Sequence, residues 1–237
     1  AGYDVKHVWG DGGHNGKHGT QLFPDAIRWL WHDWPKPVQA GRAPLERLGP
    51  LLIAGEAWSL VGEGYRLSEG TAVNAKGEVF FTDIPASKAY KIGRDGKPAE
   101  FIADTKRTNG QAFGPDGRLY AVATGTREIL AYPANGGAPT VIASEIAGND
   151  LVVAHNGNLY VTNPPAGGSN EPSKIWLIKP DGTKQVVDTG LKFANGITLS
   201  PDQTLLYVAD TAGQFVYSFQ IAEDGSLRHK QPYFHLH

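Results

Sequence analysis

Apolar and polar residues alternate in four segments of the chain that can be aligned with one another. The segments are "EGTAVNAKGEVFFTD" (69–83), "NGQAFGPDGRLYAVA" (109–123), "NDLVVAHNGNLYVTN" (149–163) and "NGITLSPDQTLLYVAD" (195–210). A glycine recurs at one turn position of the first three segments, and an aromatic residue follows it in each: Phe80, Tyr120 and Tyr160. The fourth segment has one additional residue and places Tyr207 there. Alternation around a turn predicts a pair of antiparallel strands in each segment.

A second hairpin follows each of these segments. "YKIGRDGKPAEFI", "ILAYPANGGAPTVI", "IWLIKPDGTKQVV" and "VYSFQIAEDGSLRH" each have Asp-Gly or Asn-Gly between strand-like runs, which is a strong hairpin signal. Four strands per unit, repeated about every 40 residues, are typical of a β-propeller blade. The alternative is an ordinary antiparallel sandwich, but it gives no reason for repetition in register over four copies. The prediction is therefore an all-β chain with about four blades over residues 51–237.

The first 36 residues have a different pattern. Residues 3–9 are strand-like, and the Gly-rich loop "GDGGHNGKHG" follows them. "QLFPDAIRWLWHDW" (21–34) predicts a helix with Pro24 in its first turn and an apolar stripe formed by Ile27, Leu30, Trp31 and Trp34. So short a strand–loop–helix cannot bury this stripe alone. Residues 37–50 are rich in proline and glycine and are expected to be a linker.

Composition narrows the classes of function. The chain has 237 residues, a net charge of −2 and no basic cluster, so we expect no nucleic-acid partner. No apolar run is long enough for a transmembrane helix, and we expect no membrane partner. The absence of cysteine excludes disulfides, thiol catalysis and thiolate metal sites. The absence of methionine suggests a processed chain or a piece of a longer protein.

The first residues of the four aligned segments are candidates for a ligand site. Glu69, Asn109, Asn149 and Asn195 are spaced by 40, 40 and 46 residues. Innermost strands of a propeller line its central channel, so equivalent positions should meet around the axis. One carboxylate with amide oxygens suits Ca²⁺, with Mg²⁺ and Mn²⁺ as alternatives, and argues against Zn²⁺ held by thiolates or imidazoles. The alternative is that the asparagines only hydrogen-bond strand ends, the role that we expect of Asp83 and Asp210.

The motifs "RLSEGTAVNAKGEVFFTD", "RTNGQAFGPDGRLYAVATG", "GNDLVVAHNGNLYVTNPP" and "ANGITLSPDQTLLYVADT" resemble those of the gluconolactonase/regucalcin superfamily, over roughly residues 52–237. Members of this superfamily are six-bladed, calcium-dependent lactonases. The resemblance implies that Glu69 and Asn195 are metal ligands and that Asn149 contacts metal or substrate. It makes Asn109 a substrate-side or structural candidate. A substrate-binding arginine of some members is replaced here by Ala147.

The resemblance also implies blades that this sequence does not contain. The family has a further blade whose aspartate is a metal ligand and the expected general base, and it would lie beyond His237. Asp150 is the second candidate for that role. With about four of six blades, the chain is expected to be truncated and inactive as it stands. Residues 51–66 are expected to supply the strand that completes the last blade.

The N-terminal segment resembles the end of an α/β-hydrolase of the esterase type. In such enzymes the catalytic histidine follows the last strand in a Gly-rich loop and precedes the last helix. His14 is the best match for a relic of this histidine, and His18 is the second. The serine and acid of a triad would lie upstream of Ala1. The alternative is that both histidines are simply loop residues.

Together these patterns predict metal-dependent hydrolysis of a small-molecule lactone or related ester in the intact parent protein. Ca²⁺ is the favoured cation, with Mg²⁺, Mn²⁺ or Zn²⁺ as alternatives. Two other functions are compatible with the same residues: a non-catalytic propeller that binds a ligand or a protein, and a passenger domain of a serine esterase. The fusion suggests a bacterial periplasmic or secreted protein.

Overall fold

The protein's strands form four antiparallel sheets in chain order, in a computed structural model that describes residues 16–31, 58–93, 95–167 and 169–235. The first sheet contains β1 (Ser68–Val73), β2 (Val79–Asp83), β3 (Lys88–Ile92) and β4 (Pro98–Ile102). The second contains β5 (Thr108–Phe113), β6 (Leu119–Ala123), β7 (Glu128–Tyr132) and β8 (Thr140–Ser144). The third contains β9 (Leu151–Val153), β10 (Leu159–Asn163), β11 (Lys174–Ile178) and β12 (Lys184–Thr189). The fourth contains β13 (Ala194–Leu199), β14 (Leu205–Asp210), β15 (Phe215–Ile221) and β16 (Leu227–His235).

Each sheet is a meander in which neighbouring strands are also neighbours in sequence. The turn between the first two strands depends on a left-handed residue. Gly77, Gly117 and Gly157 have φ values of 77°, 79° and 85°, which glycine adopts without steric cost. In the fourth sheet Gln203 takes this conformation with φ 57°. The predicted turn glycines are confirmed, and the use of Gln203 is new.

Apolar cores lie between successive sheets. One cluster joins the first and second sheets through residues such as Ala89 and Leu130, and a second joins the second and third through Ile129 and Val161. A third cluster, which includes Leu177 and Val208, joins the third sheet to the fourth. The middle sheets are therefore buried on both faces, which explains why all five residues of β6 are buried. Serial packing of four sheets is a propeller arrangement and not a two-sheet sandwich, as predicted.

The N-terminal helix differs from its prediction. Helix α1 spans Gly16–Leu30, so it begins before Gln21 and ends before Trp34. Two glycines made residues 16–20 look like a loop, but propensity is a weak determinant of where a helix starts. Pro24 lies inside the helix. The prediction that it lies in the first turn was therefore wrong. Proline removes one main-chain hydrogen bond there, and the 15-residue helix tolerates that loss.

The apolar stripe of α1 is exposed at Phe23, Ile27 and Trp31, by 63%, 39% and 56% respectively. This helix belongs to one unit of the chain (1–59) and the strands to another (60–237). The predicted boundaries at residues 36 and 50 stay predictions. His14 and the strand expected over residues 3–9 lie outside the described residues. No helix in the described part of the chain has the length and apolar character needed to cross a membrane.

Residues 58–67 form no strand, so the described part of the segment 51–66 does not complete a blade. Tyr65 instead packs its ring against Phe81 and Tyr90 of the first sheet, with both centroid distances at 4.9 Å. Arg66 and Leu67 are held through their main-chain N–H groups by Asp83, which fixes the start of β1. This segment therefore leads into the first blade by covering one of its faces.

Candidate functional site

The predicted site residues of three blades lie at β-bulges on the innermost strands. The register between the first two strands of a blade shifts between Glu69 and Ala72, between Thr108 and Gln111, and between Ala194 and Ile197. A bulge inserts an extra residue into one strand and re-aims its side chains. Glu69, Asn109 and Asn195 lie within or at the edge of these shifts. The recurring Glu-Gly and Asn-Gly pairs of the sequence therefore coincide with these bulges.

The third blade reaches an equivalent arrangement without a bulge. Asn149 and Asp150 precede β9 and are already bonded to β10. The Asn149 N–H donates to the Thr162 carbonyl at 2.7 Å, and the Thr162 N–H donates to the Asp150 carbonyl at 2.9 Å. These two residues are therefore fixed to the blade's second strand.

A series of hydrogen bonds joins the four blades at these positions. Thr82 Oγ1 of the first blade donates to the Asn109 carbonyl at 3.1 Å, and the Gly110 N–H of the second blade donates to the Asn149 carbonyl at 2.9 Å. Thr162 Oγ1 of the third blade donates to the Asn195 carbonyl at 2.7 Å. Each leading asparagine is thus bonded through its main chain to the preceding blade. The structure places all three at successive blade junctions on one end of the propeller.

The side chains of the four predicted site residues have no hydrogen-bond partner within the described residues. This holds for the partly buried amides of Asn109, Asn149 and Asn195 and for the exposed carboxylate of Glu69. The alternative in which the asparagine side chains only tie down strand ends is therefore not supported by their contacts. Their main-chain groups make the blade-to-blade bonds, and their side chains stay available to a ligand.

Asp83 and Asp210 have the local structural role expected of them. Both are 3% exposed at the ends of second strands. Asp83 accepts from the N–H groups of Arg66 and Leu67, and Asp210 accepts from two main-chain N–H groups in the segment that leads into β13, at 3.0 and 2.8 Å. Their oxygens therefore fix the segment that leads into an inner strand through its main-chain N–H groups.

Asp150 is the point at which contacts from several blades meet. One carboxylate oxygen accepts from the Leu151 N–H at 2.8 Å, and the other accepts from the Ile197 N–H of the fourth blade at 3.3 Å. A Cβ at Gly110 of the second blade would lie 2.1 Å from Asp150 Oδ1. Asp150 therefore packs between the second and fourth blades.

Burial raises the pKa of Asp150 to about 6. The N–H groups of Leu151 and Ile197 oppose this rise, and the negative charge of Glu69 adds to it. The contribution of Glu69 indicates that carboxylates of the first and third blades lie near one another at this end of the propeller.

This raised pKa predicts a pH-dependent stability in divalent-free buffer. The folded state holds the Asp150 proton more tightly than the unfolded state, so its contribution to stability is full below about pH 4 and is lost as pH rises through 6. The loss is at most roughly 3 kcal/mol. Asn at position 150 cannot titrate, so the Asp150→Asn variant does not lose this contribution as the pH rises. The free energy of unfolding of the variant minus that of the native protein should therefore increase by up to that amount between pH 4 and 7. Urea denaturation of both proteins across this range measures it, and a constant difference would contradict the assignment.

A divalent cation fits the donor atoms at this end of the propeller. Within the residues that the structure describes, no group of three His, Cys, Asp or Glu side chains is arranged to hold a metal. A cation would therefore depend on amide oxygens in addition to the Glu69 carboxylate, with the charge of Asp150 nearby. Ca²⁺ accepts such mixed oxygen sets. A positive charge would also relieve the repulsion between these two carboxylates.

Two features of the site could not be assigned from the sequence. Gln111, next to Gly110 on β5, is 4% exposed, and its Nε2 atom has no hydrogen-bond partner. The aligned repeats have Thr71, Leu151 and Ile197 at this place, so the only available signal was a long polar side chain where the third and fourth repeats are apolar. The close approach of Gly110 to Asp150 could not be inferred from the sequence, because the two residues belong to different blades.

Four sequential sheets packed one against the next define a β-propeller, and polar side chains without hydrogen-bond partners in the described part of the chain lie at its inner-strand junctions. The chain belongs to the family described as SMP-30/Gluconolactonase/LRE-like region, which matches residues 67–237. The predicted family is thereby confirmed. The six-blade count and the preceding hydrolase domain stay predictions.

The relatives agree with this family. The chain is 26% identical over 210 residues to a gluconolactonase of Zymomonas mobilis, covering 76% of this chain and 59% of the relative. It is similar to the structure of a gluconolactonase, XC5397, from Xanthomonas campestris, with TM-score 0.65, 25% identity and coverage of 73% and 64%. A calcium-binding regucalcin from Agrobacterium tumefaciens shares the fold, with TM-score 0.60, 17% identity and coverage of 71% and 59%. The chain thus spans about three-fifths of each of these relatives.

Proposed function

We propose that the protein hydrolyses a small lactone or related ester with the help of a divalent cation. The observation that carries the proposal is the set of unpartnered oxygen-bearing side chains at the blade junctions, held in place through their main chains. These side chains are exposed or partly exposed to solvent, so their oxygens are accessible to a ligand. The gluconolactonases among the relatives support a lactone as the substrate class.

Glu69, Asn149 and Asn195 would hold the cation. Their carboxylate and amide oxygens are hard donors, which favour Ca²⁺, with Mg²⁺, Mn²⁺ and Zn²⁺ as alternatives. The calcium-binding regucalcin with the same fold supports this choice. Three protein ligands leave coordination positions for the substrate. The bound cation would supply the positive charge that polarises the lactone carbonyl and stabilises its developing oxyanion.

The protein's own residues would carry the other parts of the reaction. Asp150 would accept the proton of the attacking water, and a pKa of about 6 suits a general base near neutral pH. The N–H groups of Leu151 and Ile197 each bond one of its oxygens, which fixes the carboxylate plane and leaves lone pairs for water. Asn109 and Asn149 would bind substrate oxygens through their unpartnered amides.

The test is hydrolysis of glucono-δ-lactone by the protein in its natural full-length form, followed with a pH indicator after removal of divalent ions. We expect turnover to be lost on metal removal and restored by Ca²⁺. A thermal shift with Ca²⁺ but no turnover on a panel of lactones would contradict the proposal and favour a binding propeller. Turnover that resists chelation but is abolished by a serine-reactive phosphonate would contradict it in favour of an esterase.

A further inference from the structure

Gln111 is a buried side chain whose amide nitrogen has no partner in the described part of the chain. It is 4% exposed, and its Nε2 atom makes no hydrogen bond within the described residues. The equivalent residues of the third and fourth blades, Leu151 and Ile197, are apolar. An apolar residue would avoid the cost of an unsatisfied amide, so a glutamine here requires an explanation.

The position of Gln111 connects it to Glu69. Gln111 is paired in register with Ala121, which belongs to the core between the first and second blades. Side chains of directly paired residues lie on the same face of a sheet, so Gln111 faces the first blade. A Cβ at Gly70 would lie 3.2 Å from Gln111 Cγ. The glutamine stem therefore occupies the space beside the residue that follows Glu69.

The hydrogen-bonding needs of these two side chains are complementary. Gln111 Nε2 is a donor without an acceptor. The Glu69 carboxylate is an acceptor to which no described residue donates, and a Cβ at its neighbour Gly70 would meet both the main chain and the side chain of Gln111. A metal-ligating carboxylate commonly has a second oxygen that a neighbouring donor orients.

We propose that Gln111 is a positioning residue for Glu69. When Glu69 holds a divalent cation, Gln111 Nε2 donates a hydrogen bond to its carboxylate and fixes the orientation of the ligand oxygen. This inference rests on the proposed function. It adds a residue that acts through Glu69 and does not itself touch the cation.

The test measures Ca²⁺ affinity by isothermal titration calorimetry, together with thermal stability. Gln111→Met keeps the length of the side chain and removes the donor. We expect a Kd for Ca²⁺ about tenfold weaker, in the range observed for loss of partners that orient metal ligands, and a melting temperature that is unchanged or higher. A Kd equal to that of the native protein would overturn the proposal.

Tyr132→Phe is the matched control. Tyr132 Oη is the other buried polar atom without a partner in the described residues, and it belongs to the core between the same two blades. Its removal should leave the Kd for Ca²⁺ unchanged. A tenfold loss in this variant as well would assign the effect to the core in general and overturn the proposal.

A double-mutant cycle with Glu69→Gln tests whether Gln111 acts through Glu69. Gln111→Met should weaken Ca²⁺ binding much less in the Glu69→Gln background, whereas independent effects would multiply and contradict the proposal. The two proposals fail differently. If the native protein binds no Ca²⁺, the proposed function itself is contradicted. If the native protein binds Ca²⁺ and turns over lactone, but Gln111→Met leaves the Kd unchanged, only the positioning role is contradicted.

Discussion

Replacing Glu69 with glutamine is expected to lower kcat/KM for lactone hydrolysis by about 10³-fold. The substitution preserves size and removes the negative charge of the proposed cation site. Charge stabilisation by a catalytic metal is worth several kcal/mol, and about 4 kcal/mol corresponds to 10³ in rate. Because Glu69 is exposed and makes no hydrogen bond within the described residues, the fold should not be weakened. Initial rates over a range of Ca²⁺ concentrations measure the loss, and high Ca²⁺ should restore part of it.

Glu223→Gln is the control for this variant. Glu223 is also exposed and lies in the β15–β16 turn, where it has no part in the proposed site. The control should retain native activity and native dependence on Ca²⁺. If Glu69→Gln behaved like the control, the cation would have to bind elsewhere, and the proposed ligand set would be wrong.

Much of the propeller was predictable because each repeat contains characteristic turn and strand residues close together in sequence. Gly77, Gly117 and Gly157 mark turns that depend on a left-handed residue, and the aromatic residue after each marks a buried strand position. Such signals need only a few neighbouring residues. The start of α1 was not predictable in this way, because "GKHGT" (16–20) has the composition of a loop but forms the beginning of the helix.

The candidate site was predictable as a set of residues but not as an arrangement. Spacing alone identified Glu69, Asn109, Asn149 and Asn195. The bulges that re-aim Glu69, Asn109 and Asn195, and the bonds from each blade to the next, depend on contacts between residues far apart in sequence. A pattern within one repeat does not contain that information. Their roles as ligands stay predictions that the Ca²⁺ experiments test.

The glycine that follows a site residue has different surroundings in different blades. A Cβ at Gly70 would lie 2.3 Å from the Asn109 carbonyl oxygen, and a Cβ at Gly110 would lie 2.5 Å from the Asp150 Cα atom. Apart from its two chain neighbours, no described residue has an atom within 4 Å of the corresponding position at Gly196. The first two glycines thus allow neighbouring inner strands to approach closely. Asp150 takes this place in the third blade and uses its side chain to reach Ile197.

Gly110→Ala is therefore expected to lower the free energy of unfolding by about 3 kcal/mol, near the upper end of the usual cost of overpacking. For a chain of this size the melting temperature should fall by roughly 6–12 °C. The added methyl group meets both a main-chain atom and the carboxylate of Asp150, so a side-chain rotation alone cannot relieve the clash. The same displacement should weaken Ca²⁺ binding. Urea denaturation and calorimetry measure the two effects.

Gly196→Ala provides the comparison at the equivalent position of the fourth blade. Neither Gly110 nor Gly196 has a positive φ, so alanine fits both backbones and the comparison isolates the packing contact. Gly196→Ala should change the free energy of unfolding by less than about 0.5 kcal/mol. Equal effects of the two substitutions would show that the inner strands of the second and third blades are not in close contact. Asp150 would then lack the packing against Gly110 that fixes it at the junction with the second blade, and the proposed general base would lose its structural support.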